Sequence, residues 1–222
     1  MTVLARVSRT ALRANLARSG ADGGVVDVRA DGWGHGAVTV AAAAVAAGGR
    51  QVIADADQHD ELRAAGIPSD ALVDVGAATV DPLAVFGLDG IGVPVLRLCG
   101  EVVTTKDLRA GEGVSYGYLH RAPHDTRIAL VSGGYGQGVY RALGERASVV
   151  ISGRRCAILG RVAMDVCVVE IGDAPLSRGA DVWFFGDPAQ GHPSVHEWAD
   201  ASDLSAAELV AAVGLHAERR SE

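Results

Sequence analysis

The chain opens with a polar-apolar alternation that suits a short helix: behind Ser8, Leu12 and Leu16 recur four residues apart among arginines and alanines. A small apolar run at 25–28 reads as a strand. The alanine-rich stretch 34–47 reads as a helix stopped by Gly48 and Gly49, and 51–54 as a second strand. A helix over 57–65 ending at Gly66 and a strand over 71–75 complete a βαβαβ pattern, whose strands are most easily parallel. After Gly76 the period changes. From Val93 onward short β-like stretches alternate with glycine turns, at 95–104, 127–131, 148–152, 154–159, 162–171 and 181–185, which predicts a mostly antiparallel β-domain. Ser194 with Glu197, and Ser205 with Glu208, have the spacing of capping boxes ahead of two closing helices. The expected division is an α/β domain over 1–91 and a β-domain over 92–222.

Composition narrows the class. Of 222 residues 49% are hydrophobic and 21% charged, as in a globular protein of one or two domains. With 27 acidic against 20 basic residues and a net charge of −7, no nucleic-acid partner is expected. Lys106 is the only lysine, so chemistry that needs a lysine amine has one place to happen. Cys99, Cys156 and Cys167 form no CxxC pair and read as buried thiols in a reducing compartment. Arg6, Arg9, Arg13 and Arg18 interrupt the first apolar residues, which argues against a signal peptide. No later run is long and charge-free enough to span a bilayer. The expected location is the cytoplasm, with no membrane partner.

Several motifs carry chemistry. The segment Val28-Arg29-Ala30-Asp31-Gly32-Trp33-Gly34-His35-Gly36 follows the first strand. A longer set runs Ala110-Gly111-Glu112-Gly113-Val114-Ser115-Tyr116-Gly117, then Gly133-Gly134-Tyr135-Gly136-Gln137-Gly138-Val139-Tyr140-Arg141, then Gly153, then Gly160-Arg161-Val162-Ala163-Met164-Asp165. A third segment is Val80-Asp81-Pro82-Leu83-Ala84-Val85-Phe86-Gly87-Leu88. Together these resemble the bacterial alanine racemases, in order and in spacing. That resemblance implies a (β/α)8 barrel holding pyridoxal phosphate, followed by a β-domain, with the active site formed between two subunits. It also implies a lysine imine on one face of the substrate carbon and a tyrosine from the partner on the other, two bases with the cofactor as electron sink.

Residue by residue, the resemblance places Arg29 where the family has its cofactor lysine. A guanidinium stays protonated and offers no amine for a Schiff base. Trp33 replaces a tyrosine, Asp81 an arginine that faces the pyridine nitrogen, with Leu83 where the family has a glycine, and Ala207 before Glu208 a phosphate-holding tyrosine. These four positions leave no confident cofactor contact. On the β-domain Tyr116 matches the second catalytic base, Tyr135 a residue at the substrate entrance, and Met164 with Asp165 the loop near substrate. A phenol with a pKa near ~10 needs a positive neighbour to act as a base, and Arg109 and Arg141 are candidates. Lys106 reads as a solvated turn residue. Gly134 to Gly138 lacks the lysine of a phosphate loop. His192 and His196, four apart, read as solvated residues at a helix start rather than as metal ligands, so no metal is expected. No serine or cysteine has the context of an activated nucleophile.

Length supplies the last constraint. A (β/α)8 barrel takes about 250 residues, whereas about 90 precede the β-domain here. Only 76–79 stand where about four further βα units would lie in the family. The expected fold is therefore α/β plus β: a truncated remnant of the barrel, followed by a mostly antiparallel β-domain of the alanine racemase C-terminal type. Three functions compete. One is a homologue without cofactor-dependent racemase activity, acting as a homodimer or as a heterodimer with a full-length racemase. Another is a residual racemase or isomerase, using Tyr116 with non-covalent pyridoxal phosphate or with no cofactor. The third is a protein that binds a small amino acid through Arg29.

Overall fold

The computed structural model describes residues 3–222, apart from the side chain of Tyr116. In chain order the strands are β1 (Leu4–Val7), β2 (Val25–Asp27), β3 (Gln51–Ile53), β4 (Leu72–Val73), β5 (Leu96–Leu108), β6 (Gly113–Val114), β7 (His120–Arg121), β8 (Thr126–Ser132), β9 (Ser148–Ile151), β10 (Arg154–Leu159), β11 (Val166–Glu170), β12 (Asp181–Phe185) and β13 (Glu218–Ser221). The helical segments are α1 (Arg9–Arg18), α2 (Arg29–Trp33), α3 (Ala37–Ala46), α4 (His59–Ala64), α5 (Pro82–Phe86), α6 (Val195–Asp200) and α7 (Ala206–His216). The chain divides into two compact units. One joins Arg6–Leu96 to Arg219–Glu222, and the other is built mainly from Arg97–Glu218.

In the α/β unit, β2, β3 and β4 pair in parallel, as the βαβαβ pattern requires. Thr79 and Val80 hydrogen-bond Val25 O, and the Thr79 hydroxyl accepts the Val25 N–H at 2.9 Å. Ser8 caps α1, accepting the Ala11 N–H, and the apolar stripe of α1 buries Leu12 and Leu16 completely. Asn15, also buried, donates to Val85 O and Val93 O and accepts from Val93 N, so the helix is tied to α5 and to the loop that follows it.

The expected helix over 34–47 starts later, at Ala37. Ahead of it, Ala30, Asp31, Gly32, Trp33 and Gly34 all have positive φ, from 52° to 79°, so α2 is wound left-handed. Left-handed winding costs about 1–2 kcal/mol per non-glycine residue, and specific bonds offset it. Asp55 accepts the Ala30 N–H at 2.8 Å, and one Asp31 oxygen accepts the Ala37 N–H at 2.7 Å, capping α3. The other Asp31 oxygen pairs with Arg219. The strand expected at 71–75 is limited to Leu72–Val73, because 74–79 are exposed.

In the β unit six strands follow the order β12-β9-β10-β11-β8-β5, and β12 returns to pair with β5, closing an antiparallel barrel. Closure removes the free edges that an open sheet exposes. A shift in register between Val102 and Thr104 marks an irregularity in β5, and Gly100 lets it approach Ser132, where a Cβ would stand 2.3 Å from the carbonyl oxygen. Phe184, Phe185 and Trp198 are buried in this unit and meet edge to face, bringing α6 onto β12. Both capping boxes form: Ser194 with Glu197 starts α6, and Ser205 with Glu208 starts α7. The expected strand over 162–171 is shorter and begins at Val166, because 160–165 turns back to bind the 133–136 backbone. No helix among the described residues is long and apolar enough to cross a membrane.

Candidate functional site

In the α/β unit Asp27, Arg29 and Asp55 stand at the C-terminal ends of β2 and β3, where loops carry chemistry in open and closed α/β sheets. Arg29 sits directly after β2. Its Nε lies 3.0 and 3.1 Å from the two carboxylate oxygens of Asp27, and one terminal nitrogen lies 2.5 Å from Oδ2. Asp27 also accepts the Arg29 backbone N–H at 3.0 Å. Burial opposes ionisation of Asp27, but the hydrogen bonds and charge of Arg29 outweigh it and hold the carboxyl below its usual range. The same pairing raises the Arg29 guanidinium above its usual value. Arg29 is thus already engaged by a carboxylate of its own chain, and an incoming amino-acid carboxylate has to compete with Asp27.

Trp33 packs against Phe86, ring centroids 5.5 Å apart. His35 is buried and stacks on the same ring at 4.1 Å, with Nδ1 2.9 Å from Gly32 O and 3.1 Å from Trp33 O. Desolvation lowers its pKa to about 4. Asp81 caps α5, accepting the Leu83 N–H at 2.9 Å, while the Leu83 side chain is exposed.

The β unit assembles the other predicted residues. Tyr135 N donates to Ala163 O at 3.0 Å and Gly136 N to Met164 O at 2.8 Å. Gln137 Nε2 donates to Asp165 Oδ1 at 3.1 Å, and Gly133 N to Asp165 O at 2.9 Å. A Cβ at Gly134 would stand 2.3 Å from both the Ala163 and the Met164 carbonyl oxygens, so the close approach of the two loops needs glycine there. Tyr135, Arg141, Met164 and Asp165 line a depression of about 620 Å³, with the Arg141 guanidinium 5.7 Å from the Tyr135 ring centroid. A second depression of about 410 Å³ shares Ala163 and Val166 with it and is lined by Ser115, Tyr118 and Arg161. The Tyr116 backbone lies between these last loop residues, in a 3₁₀ turn over Tyr116–Tyr118, and its side chain is outside the described residues.

Ala207, half-buried, occupies the first turn of α7, where Glu208 serves the cap. Lys106 lies on β5, not on a turn, and its side chain is exposed. His192 is not a solvated cap: its ring stacks on Trp183 at 4.0 Å and its Nδ1 accepts the Asp187 N–H. His196 is exposed at the start of α6. No group of His, Cys, Asp and Glu among the described residues could hold a metal ion. Arg161 is the lining residue that sequence reasoning left without a role. It stands inside the quoted Gly160-to-Asp165 motif, so its position was available there.

A barrel unit whose glycine loops bring Tyr135, Met164 and Asp165 to one groove defines the class as a racemase-type β-domain joined to a small parallel α/β unit. Residues 95–221 match the alanine racemase C-terminal domain, and the chain belongs to the alanine racemase family. It is 42% identical over 149 residues to the alanine racemase of Thermobifida fusca, covering 67% of this chain and 40% of that protein. With the Mycobacterium tuberculosis alanine racemase it shares 42% identity over 127 residues, 53% of this chain and 33% of that one. The chain therefore spans well under half the length of these curated relatives. Among solved structures, the alanine racemase of D-cycloserine-producing Streptomyces lavendulae superposes with a TM-score of 0.87 at 20% identity, over 100% of this chain and 97% of that one. That of Streptomyces coelicolor gives 0.83 at 20% identity, over 99% and 98%.

Pyridoxal phosphate, which the family resemblance implies, needs a neutral amine for a covalent link. At the matching position stands a guanidinium clamped by Asp27, and the one lysine is exposed on β5. The residues present do not fit a covalently held cofactor.

Proposed function

We propose that this chain is an alanine racemase homologue that does not carry out cofactor-dependent racemisation by itself, and that its β unit completes a site on a second subunit, a full-length racemase. The observation that carries this reading is an asymmetry between the units. The β unit keeps Tyr135, Met164, Asp165 and Arg141 around one groove, with Arg161 in the depression beside it, whereas the α/β unit has Arg29 occupied by Asp27. The α/β unit is read as a shortened barrel, with 74–78 joining β4 to the Thr79–Val80 contact beside β2. A heterodimer is favoured over a homodimer because two copies together still have no lysine at the Arg29 position. Tyr116 would act in the partner's site rather than in one of its own. Binding of a free amino acid at Arg29 is disfavoured by the Asp27 pair.

The test mixes the purified chain with a full-length alanine racemase, such as that of Thermobifida fusca, and measures mass by light scattering. A mixed dimer is expected. In parallel, the chain alone is titrated with pyridoxal phosphate, treated with borohydride and analysed by intact mass. A stable yellow adduct that borohydride fixes to the protein, or alanine racemisation by the chain alone, would overturn the proposal.

A further inference from the structure

Five residues with positive φ stand in the β6–β7 turn and the segments tied to it: Ser115 at 66°, Gly117 at 80°, Tyr118 at 48°, Glu145 at 63° and Gly160 at 66°. Three are not glycine, so the surrounding bonds must hold them. Glu145 shows how. Its backbone N–H donates to Ile158 O at 3.0 Å. Its carboxylate accepts the Gly160 N–H, and His120 Nδ1 stands 3.0 and 3.3 Å from the two carboxylate oxygens. His120 lies on β7 opposite Val114 on β6, so this carboxylate joins the β6–β7 hairpin to the bend at Gly160.

A second tie lies on the same bend. Ser115 Oγ donates to Arg161 O at 2.7 Å, and a Cβ at Gly160 would stand 2.4 Å from the Ser115 Cβ. Beneath the hairpin, Val114 and Ala122 pack on Leu108, Ile128 and Leu159. The packing anchors the hairpin strands, and the two polar ties hold Ser115 and His120, which flank its tip. That tip carries the Tyr116 backbone, and the bend at 160–161 leads straight into Met164 and Asp165.

We propose that Glu145 is a positioning residue: its carboxylate, shared between Gly160 N–H and His120, latches the hairpin that carries Tyr116 to the loop that carries Met164 and Asp165. The inference takes the purpose of the hairpin from the docking reading above, but the latch is a property of the isolated chain and is tested without a partner.

Three full-length variants separate latch from turn. Glu145→Ala removes both contacts. Glu145→Gly also removes them while relieving the left-handed backbone. Glu145→Gln keeps a carbonyl oxygen for Gly160 N–H and an amide that can donate to His120. Hydrogen exchange of peptides spanning 111–122 is compared with that of peptides from β9 and β10. In Ala and Gly variants exchange at 111–122 is expected to rise about tenfold with β9 and β10 unchanged, the effect of losing one charge-assisted bond from a locally opening segment. The Gln variant is expected to stay within about twofold of the parent chain. Parent-like exchange in Glu145→Gly would overturn the proposal and leave Glu145 as a turn residue. So would a rise equal across the whole β unit, or a Gln variant as open as the Gly variant. Failure of the mixed dimer with an intact latch would reject the docking reading alone.

Discussion

The Arg29 guanidinium and the Asp27 carboxylate form a compact pair, and its chemistry limits what one substitution can recover. In Arg29→Lys the ammonium would face the same carboxylate, which favours its charged form and opposes imine formation. The variant is expected to show no racemisation, with borohydride trapping followed by peptide mass as the check. His35 sets a different expectation. Its folded-state pKa of about 4 lies below the unfolded value, so the unfolded chain binds the extra proton as pH falls below about 6.5. Stability is lost progressively down to about pH 4, where the folded form also takes up the proton. In His35→Asn, which keeps a donor near Gly32 O, the loss between pH 7 and 4.5 should shrink by about 2 kcal/mol, read from urea unfolding at the two pH values.

Secondary-structure elements were legible where a local rule decides them. The Ser194–Glu197 and Ser205–Glu208 spacings gave two real helix starts, and the β-like runs at 154–159 and 181–185, set off by glycine turns, gave two strands with their observed bounds. The left-handed turn over 30–34 escaped because its support comes from Asp55 and Arg219, which are remote in sequence. The β11 start escaped for a related reason, since Met164 and Asp165 give their carbonyls to the 133–136 loop instead of a strand neighbour. The groove was only partly legible: its motif residues could be named, but Arg141 meeting the Tyr135 ring depends on the folded loop. Glycine geometry at this scale is testable. Gly138 has φ 84°, and a Cβ there would stand 2.7 Å from Val213 Cα on α7. Gly191 has φ 80° with open space around it. Gly138→Ala should cost more than about 2 kcal/mol and Gly191→Ala about 1 kcal/mol, measured by chemical denaturation.

At the level of the whole chain, the family match spans residues 95–221, nearly all of the β unit, whereas the likeness to solved alanine racemases extends over 100% of this chain. The α/β unit also depends on a distant stretch of chain. Arg219 pairs with Asp31 and donates to Gly34 O, and Glu222 O accepts the Arg9 N–H. Removing 219–222 is expected to speed hydrogen exchange over 29–37 while leaving β9 to β11 protected, which peptide-resolved exchange would show.

That arrangement has a consequence for biosynthesis. The segment that braces the left-handed turn is translated only after Arg97–Glu218, so the α/β unit can acquire all its native contacts only once that stretch of the β unit has been made. During that interval Ala30, Asp31 and Trp33 lack the Arg219 contact that helps to hold their backbone winding.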